Sequence, residues 1–327
     1  LDDVTPLRHW DDGAANSDAT LFPARPAVRI RFPDEVNKRQ PVGENPQAGA
    51  ILTYYLKSAP KGEVKLEILD TQGSPVKTYS SVKKAEVEGP AEWPDVQKLN
   101  ETLPAEAGLN RFAWNLRYED PVKIPGAFYE SDTAPKGSMA LPGAYQARLT
   151  VAGKTQTVPL EVKVDPRATA TPAELRQQFE LEQKINRSLT ALHKTVNQVR
   201  DLRGQVQAMN QKYAGAATWE PLHASADELM KKLAALEEQL VQTKTKSTEG
   251  DLNFPTMLDE QLIYLSFAVD AGDASPTRAE IETFDMLSRK IQEQLNKWDG
   301  ILSQDLNGFN RAVEKQKIPL IDTRSNQ

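Results

Sequence analysis

Residues 143–174 constrain this chain more than any other stretch, because a two-strand alternation there runs directly into a helix-start signal. Tyr145, Ala147, Leu149 and Val151 alternate with polar residues. After a turn at Gly153, Val158, Leu160, Val162 and Val164 do the same. A period of two places the apolar set on one face of an antiparallel pair and the polar set on the other. Thr171-Pro172-Ala173-Glu174 then supplies an N-cap, a proline at the first helical position and the glutamate of a capping box. The chain therefore switches from sheet to helix near residue 168.

The residues before the switch read as short strands. Ala27-Val28-Arg29-Ile30-Arg31-Phe32 alternates and is ended by Pro33. Strands resume at 51–56, and Val64, Leu66 and Ile68 alternate up to a turn at Asp70-Thr71-Gln72-Gly73, from which 75–79 returns as a hairpin. Phe112, Trp114 and Leu116 share one face of a further strand. Loops fill 33–49, 81–107 and 121–142, and residues 1–20 are polar and irregular. About seven short strands at this spacing predict an Ig-like or fibronectin-like β-sandwich.

The residues after the switch carry helical stripes. Ile185, Leu189, Leu192, Val196 and Val199 are spaced by four and three, and Leu202, Val206 and Met209 continue the stripe. A helix from 172 to about 210 would be roughly 58 Å long. Leu229, Leu233, Leu236 and Leu240 form a second stripe, and Leu258, Leu262, Leu265 and Val269 a third. Phe284, Leu287, Ile291, Leu295, Trp298 and Leu302 form a fourth. Ser225 with Glu228 and Thr277 with Glu280 mark the starts of the second and fourth helices. The expectation is a multidomain all-β plus all-α chain. Its parts are a connector arm over 1–20, a sandwich over 21–167, and an antiparallel four-helix bundle with a C-terminal tail over 168–327.

Composition narrows the function classes. With Lys+Arg 40 against Asp+Glu 46 the net charge is -6, which argues against nucleic acid as a partner, since phosphate binding needs a concentrated basic surface. No apolar run reaches the roughly 20 residues of a membrane span. The absence of cysteine excludes disulfides, thiolate metal sites and cysteine nucleophiles. With no initiator methionine at Leu1, the chain reads as a mature form or a piece of something longer.

No motif assembles a reaction centre. His9 lies beside Asp11 and Asp12 in what reads as a solvated turn, and His193 reads as a helix-surface histidine. Gly153-Lys154-Thr155 ends like a phosphate-binding loop, but Arg148 stands where the first glycine belongs and the segment joins strands. Asn100-Glu101-Thr102 and Asn186-Arg187-Ser188 match glycosylation acceptors, the second of them inside a predicted helix. Trp93, Phe128 and Tyr129 fall in the long loops and are the candidate sugar-stacking residues, since aromatic faces cover apolar sugar surface; the competing reading is that they tuck those loops onto the sandwich. No catalytic residue, metal or cofactor follows from the residues.

Several segments together resemble a known family. Leu1-Asp2-Asp3-Val4-Thr5-Pro6-Leu7-Arg8, Arg25-Pro26-Ala27-Val28-Arg29 and the stretches 108–118 and 143–167 are similar to the C-terminal region of large exported bacterial proteins. Those proteins carry a sortilin-like, BNR-repeat β-propeller and are often labelled glycosyl hydrolase-like. Leu252-Asn253-Phe254-Pro255 and Lys297-Trp298-Asp299 fit the same helical tail. The resemblance implies that Leu1-Asp2-Asp3 is the exit from a last propeller blade and that the protein is exported, periplasmic or extracellular. It further implies that this chain is a non-catalytic accessory region docking the propeller or a partner protein. The aspartate-box pattern of the repeats is absent here, so no blade is included and no family catalytic residue carries over. Two alternatives are a carbohydrate-binding module with a glycan ligand and part of a glycoside hydrolase whose active site lies in the propeller. Ile68-Leu69-Asp70-Thr71-Gln72-Gly73 and Gly143-Ala144-Tyr145 also resemble the Ig-like domain of flagellar hook-capping proteins, which is a likeness of fold alone.

Overall fold

The computed structural model describes residues 3–31, 48–83, 102–129, 134–247 and 250–323. Its longest strand pairing is the hairpin of β7 (Gly143–Val151) and β8 (Lys154–Val164), paired from Gly143↔Val162 to Val151↔Lys154. The two-residue turn between them needs positive φ at both positions. Ala152 at 48° and Gly153 at 78° supply it, which matches the right-handed twist of the flanking strands. A second hairpin joins β4 (Val64–Leu69) to β5 (Pro75–Ser80). The Asp70 carboxylate holds its turn by accepting from the Gln72 and Ser74 amides, both at 2.8 Å.

These strands lie in a five-stranded sheet of order β2-β8-β7-β4-β5, in which β2 (Ala27–Arg29) runs parallel to β8. A three-stranded antiparallel sheet holds β1 (Ala19–Leu21), β3 (Ala50–Leu56) and β6 (Gly108–Trp114) in the order β1-β3-β6. Leu52, Tyr54, Leu56 and Trp114 from the smaller sheet share one core with Leu66, Ile68, Ala147, Leu149 and Leu160 from the larger. Two short helices, α1 (Thr5–Arg8) and α2 (Asp12–Asn16), precede the first strand.

The helical half starts where the capping box stands. In α3 (Pro172–Lys212) the Thr171 hydroxyl accepts from the Glu174 amide, and the Glu174 carboxylate accepts from the Thr171 amide. α4 (His223–Leu240) starts two residues before Ser225, which does not cap it: its hydroxyl donates to the Leu222 carbonyl at 2.9 Å. α5 (Leu258–Val269) follows. Then α6 (Arg278–Gly300), opened by the Thr277–Glu280 capping box, passes through a π-helical turn (Ile301–Leu306) into α7 (Asn307–Lys315).

The Ig-like sandwich followed by a four-helix bundle is therefore corrected. The architecture is mixed α/β, with sheets of three and five strands, one of them curled into a half-barrel, and more helical segments than a four-helix bundle has. Three observations explain the difference. Strand β2 enters parallel to β8, and alternation specifies a strand's faces without specifying its neighbour or direction. The helical core is closed by α7 and by Ile318 and Ile321 of the tail, beyond the four stripes visible in the sequence. Ile124, from the connection between β6 and β7, also sits in that helical core, so the sheet and helix halves are not packed separately.

β2 also inverts its expected faces. Ala27 and Arg29 are buried, whereas Val28 is exposed, as is Val164 opposite Arg29. An arginine takes an inward position here because the helices supply its partners.

Candidate functional site

The connection between β6 and β7 leaves the sheets and lies along one side of α3. Its two ends are tied together: the Tyr118 amide donates to the Ser138 carbonyl at 2.9 Å, and the Ala140 amide to the Leu116 carbonyl at 2.7 Å. An irregular segment buried this way must find partners for its backbone groups, or each costs about 1–3 kcal/mol.

α3 supplies those partners from a polar stripe spaced by four and three: Gln178, Glu182, Asn186, Thr190, His193, Asn197 and Arg200. Glu182 Oε2 accepts from the Met139 amide at 3.3 Å, and Asn186 Nδ2 donates to Ser138 Oγ at 3.1 Å. Thr190 Oγ1 accepts from the Val122 amide at 3.4 Å, and His193 Nδ1 donates to the Val122 carbonyl at 2.5 Å. Asn197 Nδ2 reaches the Lys123 carbonyl at 3.1 Å, and Arg200 the Pro125 carbonyl at 3.4 Å. At the top of the stripe, Gln178 Nε2 donates to the Val269 and Gly272 carbonyls, both at 2.6 Å, and so ties the end of α5 to α3.

An ionic cluster caps this junction where β2, the connection, α3 and the end of α5 meet. Arg29 is paired with Asp273, and its Nε donates to the Ala140 carbonyl at 3.0 Å. Arg31 contacts Asp273 at 2.7 Å and Asp270 at 2.6 Å. Arg117 contacts Asp270 at 2.7 Å and donates to the Gly137 carbonyl at 2.9 Å. Burial opposes ionisation of Asp273, but bonds from Arg31 and Arg29 outweigh it and hold its carboxyl below the usual range. Glu182 is the third carboxyl of the cluster and is only 5% exposed. Burial, with the neighbouring Asp270 charge adding to it, pushes Glu182 up to about 7 against the pull of Arg31 and Arg117.

The other end of the stripe holds a second group of buried polar atoms. His193 is fully buried rather than on the helix surface, 6.4 Å between ring centroids from Tyr129. Burial lowers its basicity to about 4, so the ring is neutral, and its Nε2 has no hydrogen-bond partner among the described residues. Asp259, in the first turn of α5, is half-exposed as a residue, but its Oδ1 is buried and unpartnered. Burial pushes this carboxyl up to about 7. Arg200 and Arg203 converge on the buried Glu237 of α4, the former at 2.7 Å.

Two of the three sugar-stacking candidates fall on described residues. Trp93 lies outside the described residues. Phe128 is half-buried, and Tyr129 packs on the helical core while its hydroxyl accepts from the Ile124 amide at 3.2 Å. A shallow depression of about 310 Å³ beside the π-helical turn is lined by Asp299, Ser303, Asn307 and Asp322, and by neither of these aromatics. Asn186 is spent on Ser138 and faces the connection. Among the described residues, no group of three or more His, Asp or Glu side chains stands where it could hold a metal ion, and no helix is long and apolar enough to cross a membrane.

A different surface is exposed and apolar. On the outer face of the three-stranded sheet, Tyr55 lies opposite Leu109, and Trp10 of the N-terminal arm packs edge-on against Tyr55 with ring centroids 4.9 Å apart. Leu7 is 53% exposed, Leu109 52% and Trp10 40%, with Val4 beside them on the arm. Asp3 and Arg111 interact electrostatically across the same face. The arm is thus laid over the sheet rather than free of it, and both carry exposed apolar side chains there. Alternation in 108–114 marks Leu109 as lying on the opposite face from Phe112 and Trp114. Only the tertiary structure brings the arm to it.

The chain matches no known protein-family model and no curated protein.

Proposed function

We propose that this chain is a non-catalytic accessory region that docks a folded partner through the platform of its N-terminal arm and three-stranded sheet. The observation that carries the reading is Trp10 of the arm packed on Tyr55, the strand neighbour of Leu109, with Leu7, Trp10 and Leu109 all exposed. Exposed apolar surface of this kind marks protein–protein contact on soluble folds, and a tryptophan on an aromatic neighbour is the usual anchor. The partner the reading commits to is a β-propeller, because the arm segment that carries Val4 and Leu7 is one of those resembling the exit from a propeller. The polar junction along α3 fits a support role: its groups are spent on positioning backbone, and they face the protein's own connection.

The test is a calorimetric titration of the chain with the β-propeller encoded in the same gene. Binding in the micromolar range or tighter, lost in Leu7→Glu and Leu109→Glu while the far-ultraviolet spectrum is retained, supports the proposal. A gene that encodes no propeller, or binding unchanged in both variants, overturns it. A glycan array run beside it addresses the carbohydrate-binding alternative: saturable binding abolished by Phe128→Ala would favour that reading instead.

A further inference from the structure

The junction holds one carboxyl whose surroundings do not suit its charge. Glu182 projects from α3 into the meeting point of four segments. Arg31, just beyond β2, and Arg117, at the start of the connection, act on it electrostatically. The Met139 amide at the other end of the connection donates to it, and Asp270 in the turn after α5 sets a like charge near it. Arg29 and Asp273 complete the ionic cluster. Its neighbours along α3, Gln178 and Asn186, are neutral. Asp273 is shared by Arg29 and Arg31, and Asp270 by Arg31 and Arg117; Nη2 of Arg31 stays buried without a hydrogen-bond partner and does not reach Glu182. Among the described residues, Glu182 has one hydrogen bond, from Met139, and its Oε1 is buried without a partner.

We propose that Glu182 is a proton-operated latch between the sheets and the helices: protonated it closes the junction, and ionised it loosens it. A charged carboxylate here leaves one buried oxygen unsatisfied and sets a second negative charge against Asp270, and both effects favour opening to water. Protonation removes the repulsion, and a neutral carboxyl costs far less to bury with one oxygen unpartnered than a charged one does. Arg31 and Arg117 pull the other way, but neither bonds Glu182, and burial with the Asp270 charge outweighs them. The direction agrees with the upward displacement of this carboxyl to about 7. A group raised on folding contributes its stabilisation below its unfolded value of 4.5 and loses it as pH rises through 7. The latch therefore works across the range between a mildly acidic and a neutral medium. Asp259 is raised as well, but it sits at the start of α5 beside Arg200 and Tyr129, so its share is separated by substituting Glu182 alone.

The experiment uses the full chain. Hydrogen exchange of the Val122, Met139 and Ala140 amides is followed by NMR at pH 5.5 and pH 8, with intrinsic exchange rates divided out and Leu66 as an interior reference. Protection at the junction is expected to fall by up to roughly 30-fold at the higher pH, given opening that restores the unfolded value. Glu182→Gln is expected to abolish that fall. Equal loss in the variant, or protection that rises with pH, overturns the proposal. Carbon-13 titration of the glutamate carboxyls in the unmodified chain gives an answer even where the variant does not fold. A Glu182 midpoint near 7 supports the latch, and one at or below 4.5 overturns it.

Discussion

The two long faces of α3 have similar spacing and opposite chemistry, and they differ in burial: the apolar face has no exposure, whereas on the polar face, from Glu182 to Arg200, only Glu182 and His193 are buried and the rest are half-buried. One face presents Ile185, Leu189, Leu192, Val196, Val199, Leu202 and Val206, all fully buried, to the other helices. The other presents Glu182, Asn186, Thr190, His193, Asn197 and Arg200 to an irregular connection from the sheet half. The apolar face excludes water and tolerates change of shape within limits of volume. The polar face gains little net energy from each bond, because unfolding returns each group to water. Its cost appears when a partner is removed and a buried group is left alone. A polar stripe on a helix is thus no guarantee of a solvent face; its meaning depends on what lies against it.

The comparison breaks first if the apolar face is not the main source of stability. Leu192→Asp puts an unpaired charge in a site with no exposure and should cost about 5 kcal/mol, read from urea unfolding by circular dichroism. A loss under 1 kcal/mol would mean that the helical core does not need this face. At the head of the polar face, Arg29→Met strips a buried partner from Asp273 and a donor from the Ala140 carbonyl. The expected loss is about 4 kcal/mol in the same assay.

His193 sharpens the comparison through pH. Its basicity falls from 6.5 free to about 4 folded, so the stability of the neutral ring is complete above pH 6.5 and is lost as pH drops toward 4. The full loss is about 3 kcal/mol, and melting curves of His193→Asn should lack this acid limb. With Glu182 and Asp259 acting in the opposite sense above pH 4.5, the junction should be most stable in mildly acidic solution. The smallest effect is that of Asn186→Ala, which removes one bond to the Ser138 hydroxyl and should cost about 1 kcal/mol. A loss as large as that of Leu192→Asp would erase the distinction between the faces.

The local elements were legible from residues alone. The β7–β8 hairpin follows from alternation and a glycine turn, and α3 from its capping box and a stripe spaced by four and three. These are signals written within a few residues of one another. His193 illustrates where such signals stop. Set among polar neighbours on a helix, it reads as a surface residue, and no local pattern announces that residues 122 and 123, some seventy positions earlier, cover it. Arg29 and Arg31 alternate with Val28 and Ile30 as if they faced solvent, and only their approach to Asp270 and Asp273 makes the arginine side the inner one. The parallel entry of β2, the curled sheet and the closing of the helical core by α7 and the tail were decided in the same way.

The set of elements and most of their apolar faces follow from residues close in the chain, because both depend on periodicity and on capping over short spans. Which polar face is buried, which strand neighbours which, and where Trp10 meets Tyr55 follow from the fold. Those outcomes depend on pairing between residues distant in the chain: a charge or a backbone group is buried where its partner arrives, and the partner's arrival is a property of the whole fold.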